Sequence, residues 1–140
     1  MTELELTVSR TIPAPRKAVF EAWLDPATMG KFMRPAADMA SAHVTVDPTV
    51  GGAYEVIMIA GDKEIPHRGT YEAIDRHDRI VFTWLSEWTT EDSTVTLTFE
   101  DEGEGTKVTL HHVGFPNEDS RASHEGGWAE ILEMCEDAIV

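Results

Sequence analysis

The sequence predicts an α+β fold: a curved antiparallel sheet of about seven strands wrapped on one long C-terminal helix, with two short helices after the first strand. Three observations carry this reading. Seven segments alternate apolar and polar residues with the period of a half-buried strand. Short turn-forming stretches separate most of them, which favours antiparallel neighbours and a sheet needing cover on one face. Only the C-terminal segment carries an apolar stripe at helical spacing long enough to supply that cover. The chain has 140 residues, 41% hydrophobic and 26% charged. That is enough to bury a core as one domain, taken as residues 1–140.

Leu4, Leu6 and Val8 alternate with Glu3, Glu5, Thr7 and Ser9 in a first strand running to about Ile12, and Pro13-Ala14-Pro15 breaks it. From Arg16 the spacing turns helical. Val19, Phe20, Trp23 and Leu24 share a face, and Asp25-Pro26 ends that helix. A second short helix covers Pro26 to Phe32, with proline in its first turn, and Pro35 ends it.

Six strands follow. Val44 and Val46 alternate with Thr45 and Asp47, and Pro48 to Gly52 is a turn. Tyr54, Val56 and Met58 share a face of the next strand, and Gly61-Asp62 turns the chain. His67, Gly69, Tyr71 and Ala73 share a face of the strand after it. Ile80, Phe82 and Trp84 alternate with Val81, Thr83 and Leu85, and Val95, Leu97 and Phe99 with Thr94, Thr96, Thr98 and Glu100. A hairpin loop over 101–105 leads to Val108, Leu110 and His112, which alternate with Lys107, Thr109 and His111.

The last helix is expected over Asp119 to Ile139, about 30 Å at the standard rise. Trp128, Ile131, Leu132, Cys135 and Ile139 form its apolar stripe, opposite Glu130, Glu133, Glu136 and Asp137. Gly126-Gly127 near its beginning costs helix stability, roughly 1 kcal/mol per residue against alanine. Two readings account for the pair: close approach to a strand or to something held beneath, and frayed helix geometry. A sheet bent around one helix need not close along its whole length, so an internal space lined by the inner strand faces is expected, the usual form of a ligand pocket.

Charge and composition exclude several classes of function. Asp and Glu total 26 against 11 Lys and Arg, a net charge of −15, so nucleic acid and anionic membrane are poor partners. No apolar run approaches the ~20 residues of a membrane span. The N-terminal residues lack the basic start and apolar stretch of a secretory signal. The one cysteine, Cys135, forms no internal disulfide and suits a reducing compartment, so a cytoplasmic location is expected.

The expected pocket wall is Tyr54, Met58, Tyr71, Phe82, Trp84, Leu97, Phe99, Trp128 and Leu132, with His67 and His112 on the same inner faces. Aromatic rings bring apolar area, and Tyr and Trp add a polar handle for a ligand. The competing reading is that these residues fill the core, and that the two histidines are satisfied by buried partners rather than poised for proton transfer. His111 is expected to face solvent, His43 and His77 to lie on the surface, and His124 to cap or bind a loop. No His-x-x-x-His, Cys-x-x-Cys or His/Glu spacing builds a metal site, and no cofactor is implied. Cys135 on the apolar stripe is expected to be inert. No Gly-x-Ser-x-Gly motif occurs, Gly103-Glu104-Gly105 is not a phosphate loop, and no catalytic residue is assigned. The acidic groups around Glu3, Glu100–Glu104, Glu118 and Glu133–Asp137 read as solvated faces.

An ordered set of motifs then resembles one family across most of the chain, from about Leu6 to Leu132. The stretch from Ala14 to Pro26, with Val19-Phe20, Ala22-Trp23 and Asp25-Pro26, resembles its opening. Gly51 to Met58, Gly69 to Ile74, Arg79 to Trp84, Ser93 to Phe99, Gly105-Thr106, His112 to Pro116 and His124 to Trp128 resemble its later motifs in order. The family is that of bacterial homologues of the C-terminal domain of the activator of Hsp90 ATPase, in the START/Bet v 1-like (SRPBCC) superfamily. The resemblance implies a helix-grip fold and binding of a small hydrophobic or amphipathic ligand between sheet and C-terminal helix. It leaves open a cyclase- or hydrolase-type enzyme using Tyr54, Tyr71, His67 or His112 in that cavity. It also leaves open a co-chaperone-like domain with a chaperone partner, and a homodimer. Two departures stand out. Lys31-Phe32-Met33-Arg34-Pro35 replaces the family's paired tryptophans at the expected cavity mouth, and the final helix stops soon after Trp128.

Overall fold

The computed structural model describes residues 4–34 and 38–140. Glu3 and Pro35, placed above in the first strand and at the end of the second helix, lie outside the described residues. The elements run β1 (Glu5–Ile12), α1 (Arg16–Ala22), α2 (Pro26–Phe32), β2 (His43–Val46), β3 (Ala53–Ala60), β4 (Lys63–Asp75), β5 (Arg79–Thr83), β6 (Thr94–Glu102), β7 (Gly105–Val113) and α3 (Glu118–Ile139). The seven strands form one sheet in the order β1-β7-β6-β5-β4-β3-β2, and every pairing is antiparallel. β1 therefore crosses to pair with the last strand, leaving β1 and β2 as the edges. The expected fold is the observed one.

Local chemistry sets the element ends. Asp25 caps α2 by accepting from the Thr28 backbone N–H, with Pro26 where a missing N–H costs nothing. This cap needs Asp25 in extended geometry, so α1 stops at Ala22 and Trp23 becomes its C-cap, two residues before the expected end. Asn117 caps α3 by accepting from the Ser120 N–H at 2.9 Å, and Glu118 and Asp119 sit favourably in its first turn. β5 is shorter than expected. It ends at Thr83, and the chain continues through Trp84, whose N–H donates to the Ser93 carbonyl, and a bridge between Leu85 and Arg68. The register between β4 and β5 shifts between Tyr71 and Ala73, which leaves Ala73 half-buried rather than on the inner face.

The inner sheet face and the three helices enclose one core. Val56, Val95, Leu97, Val108 and Leu110 of the sheet are fully buried, as are Val19, Phe20 and Phe32 of α1 and α2. From α3 come Trp128, Ile131, Leu132 and Cys135, as expected, together with Met134, which sequence spacing did not single out. Arg10 of β1 pairs with Glu136 at 3.0 Å and pins the C-terminal half of α3 to the sheet edge. Among the described residues no helix is long and apolar enough to cross a membrane.

Candidate functional site

The helix is pinned at its C-terminal half, and the space opens under the other half. A cavity of about 700 Å³ lies between the N-terminal half of α3, the far end of the β3–β4 hairpin and the loop between β5 and β6. Trp84, Trp128, Met58 and Ile131 supply its apolar surface, and His67, Ser123 and His124 polar surface. Glu87, Trp88, Arg34, Pro116, Asn117, Asp119, Ser120 and Gly127 complete the lining. The Ser120 hydroxyl donates to the Trp88 carbonyl at 2.6 Å, tying the β5–β6 loop to the first turn of α3. Trp88 itself is exposed. Arg34 donates through Nε and Nη1 to the carbonyls of Lys31 and Met39. Of the departing segment, Phe32 and Met33 are fully buried, with Phe32 against the Trp23 ring at 4.9 Å; among its described residues, Arg34 reaches the cavity.

Of the residues expected to form the wall, Met58, His67, Trp84 and Trp128 line this cavity. Tyr54, Tyr71, Phe82, Leu97, Phe99, His112 and Leu132 do not; they are core residues. An alternating pattern reports which face a side chain takes, and depth along the strand is decided by what covers that face. Phe99 is covered by Phe20 of α1, ring centroids 5.1 Å apart. Tyr54 lies within a cluster with Tyr71, Phe82 and Trp84, and its hydroxyl donates to the Thr83 carbonyl. Burial pushes both tyrosine hydroxyls far above the ordinary phenol range, and for Tyr54 the neighbouring Tyr71 adds to it, so both stay protonated.

The two inner histidines differ. His112 accepts from the Trp128 indole N–H at Nδ1, 3.0 Å away. Its proton therefore sits on Nε2, which donates to the Ser93 hydroxyl at 2.7 Å. Burial first, then the nearby His124 and His111, lower its pKa to about 3, so it is a neutral linker between β7, α3 and Ser93 of the loop before β6. Both of its nitrogens are committed. His67 stacks on Trp84, centroids 4.5 Å apart, and burial with nearby His124 lowers its pKa to about 4 against the opposing pull of the Val56 and Ile65 carbonyls. Its Nδ1 has no hydrogen-bond partner among the described residues, and neither has Trp84 Nε1.

His124 was expected as a cap. It lies in the second turn of α3, with Nδ1 2.8 Å from the Ser120 carbonyl and its ring edge-on to His112 at 5.3 Å. It is also a cavity residue, and burial lowers its pKa. The signal that could have found it was its place one turn before Trp128 on the covering helix. His111 is part-exposed beside Glu5 and His43 is exposed, as expected. His77 is half-buried, its ring 5.2 Å from that of Phe20. Burial pushes the Cys135 thiol up to about 12, in keeping with an inert core cysteine. Of the expected readings of Gly126-Gly127, frayed geometry and close approach to a strand give way. The helix is regular through them, and a Cβ at either would meet nothing within 4 Å. Gly127 lines the cavity and Gly126 does not. Among the described residues no cluster of three or more metal-ligating side chains occurs.

A family model described as "Activator of Hsp90 ATPase homolog 1-like protein" matches residues 13–138. No curated protein sequence matches the chain. Among solved structures, a protein from Chromobacterium violaceum is 23% identical, covering 97% of this chain and 96% of its own, with a TM-score of 0.85. The AHSA1-like protein from Aeromonas hydrophila is 21% identical over 96% and 91% of the two chains, TM-score 0.81. An HSP90 activator from Plasmodium falciparum is 22% identical over 96% and 94%, TM-score 0.77. At these identities the likeness is one of fold.

Proposed function

The chain belongs to the Activator of Hsp90 ATPase homolog 1-like family, and from that premise we propose that it binds a small apolar or amphipathic molecule between the sheet and the N-terminal half of α3. The cavity carries this reading. Its volume of about 700 Å³ is that of a site for a drug-sized molecule. Its apolar surface comes from rings already held by packing, Trp84 against Trp128 at 4.8 Å and Trp84 against His67 at 4.5 Å. Such a wall gives contact area at little conformational cost.

A catalytic use of the same cavity has less support. His112, Tyr54 and Tyr71 do not line it, and His112 has neither nitrogen free. His67 and His124 remain as the titratable imidazoles within it, both held toward the neutral form.

Native mass spectrometry of the freshly purified protein, with a thermal-shift screen of uncharged, anionic and cationic aromatic compounds, tests the proposal. A co-purifying small molecule, or a Tm rise that saturates with compound concentration and is lost on filling the cavity by Gly127→Leu, supports it. A screen in which no compound shifts Tm, together with a protein that carries no adduct, overturns it.

A further inference from the structure

Three side chains of this cavity hold acceptor atoms that no other described residue uses. The first is His124, whose Nδ1 lies 2.8 Å from the Ser120 carbonyl. A carbonyl only accepts, so Nδ1 carries the proton and Nε2 holds a lone pair. That Nε2 has no partner among the described residues and, unlike His67 Nδ1 and Trp84 Nε1, is not sealed from solvent. Burial lowers the pKa of this imidazole, which leaves the lone pair available at neutral pH. The other two are Glu87 and Asp119, both exposed. Neither carboxylate makes a hydrogen bond or ion pair with another described residue.

The donors of the same lining are differently placed. Arg34 gives Nε and Nη1 to the Lys31 and Met39 carbonyls, and Ser120 gives its hydroxyl to the Trp88 carbonyl. Asn117 accepts through its side-chain oxygen and keeps its amide N–H group, and the Ser123 hydroxyl serves in either sense. Charge points the same way as the acceptors. With His67 and His124 neutral, two carboxylates outnumber the one guanidinium among the described lining residues. The whole chain adds its −15 at longer range. A cation neutralises the excess at this rim, whereas an anion meets Arg34 but adds to the excess. The exposed Trp88 at the same rim brings an indole ring, which also attracts a cation.

Resting on the binding function proposed above, we infer that the cavity selects a cationic amphipath, an amine whose ammonium N–H donates to His124 Nε2 within the field of Glu87 and Asp119. The apolar body of the molecule lies against Trp84, Trp128, Met58 and Ile131. An ammonium group carries three donors and no acceptor, so it suits a site whose unused polar atoms mostly accept.

Four probes substituted at the same ring carbon test this by calorimetric titration of the whole chain: naphthylmethylamine, naphthylmethyl-trimethylammonium, naphthylmethanol and naphthylacetate. In low salt the amine is expected to bind tightest, about fivefold or more over naphthylacetate, with a lead that narrows as salt is raised. The trimethylammonium keeps the charge without a donor and is expected to fall between amine and alcohol. Glu87→Gln with Asp119→Asn, an exchange of two exposed side chains that spares the core, is expected to bring the amine close to the alcohol. In the nitrogen NMR spectrum of the unsubstituted protein, the His124 Nε2 resonance is expected to move with the amine and not with the trimethylammonium. Naphthylacetate binding as tightly as the amine, a lead untouched by the double exchange, or an unmoved Nε2 resonance overturns the inference while leaving the cavity a binding site. Failure of all four probes to bind counts against the binding function itself, and the inference falls with it.

Discussion

Ser93 and His112 show how much of the core beside the cavity depends on single polar contacts. The Trp128–His112–Ser93 chain satisfies both imidazole nitrogens inside the core. Ser93→Ala leaves the His112 Nε2–H buried without an acceptor and is expected to cost about 1–3 kcal/mol, read as a lower midpoint in urea unfolding with the slope unchanged. Titration gives a second outcome. His67 and His112 are held near 4 and 3 in the folded chain, against an ordinary value of 6.5. Their folded pKa values are depressed, so the unfolded chain binds more protons than the folded one between these limits. Stability is therefore full above pH 6.5 and is lost as pH falls toward 4 and then 3. His67→Phe, which preserves the stack on Trp84, is expected to flatten part of this decline in a series of thermal melts. An equally steep decline in the variant would show that His67 does not contribute. The identities of these histidines were legible as inner-face residues from strand alternation. Their difference was not, because it depends on Ser93 and Trp128, distant in sequence and brought together by the fold.

At the level of elements, glycines mark where the backbone is crowded and where it is open. Gly69 of β4 sits where a Cβ would come within 2.0 Å of the Thr83 carbonyl oxygen. Gly69→Ala is expected to destabilise by about 3 kcal/mol, because a backbone atom cannot give way as a side chain can. The α3 pair behaves in the opposite sense. Gly126→Ala and Gly127→Ala both meet open space and are each expected to stabilise the helix by up to about 1 kcal/mol. Only Gly127→Ala is expected to weaken binding of a cavity probe as well, since only Gly127 lines the cavity. Thermal melts and probe titration on the two variants separate the effects. If both variants bind the probe as the parent does, the glycine at 127 is not there to leave room. Sequence spacing found the glycines and their cost, but only the packing around α3 told a crowded position from an open one.

For the molecule as a whole, charge is the dominant surface property. A net −15 spread over 140 residues works against compaction. The visible counter-pairs, such as Arg121 with Glu118 and Glu125, are exposed carboxylate partners of small individual worth. Raising salt from roughly 0.01 M to 0.15 M shortens the screening length from about 30 Å to about 8 Å. The midpoint of thermal unfolding is therefore expected to rise by a few degrees over that range. A fall would mean that the ion pairs outweigh the overall repulsion.

By itself the sequence determined the order of elements, the antiparallel sheet and the covering helix, because alternation, helical stripes and turn residues are local and each repeats along its own segment; the family was legible only through the resemblance of its ordered motifs. Tertiary structure alone decided where the hollow lies. Six inner-face residues, and Leu132 of α3, share their pattern with the cavity wall but lie buried away from it, Phe99 against Phe20 of α1 and Tyr54 among Tyr71, Phe82 and Trp84, while Trp84, His67, Met58 and Trp128 line the open space. That distinction depends on how far each covering element reaches along the sheet. No residue carries it alone, since coverage is a property of pairs of surfaces brought together from distant parts of the chain.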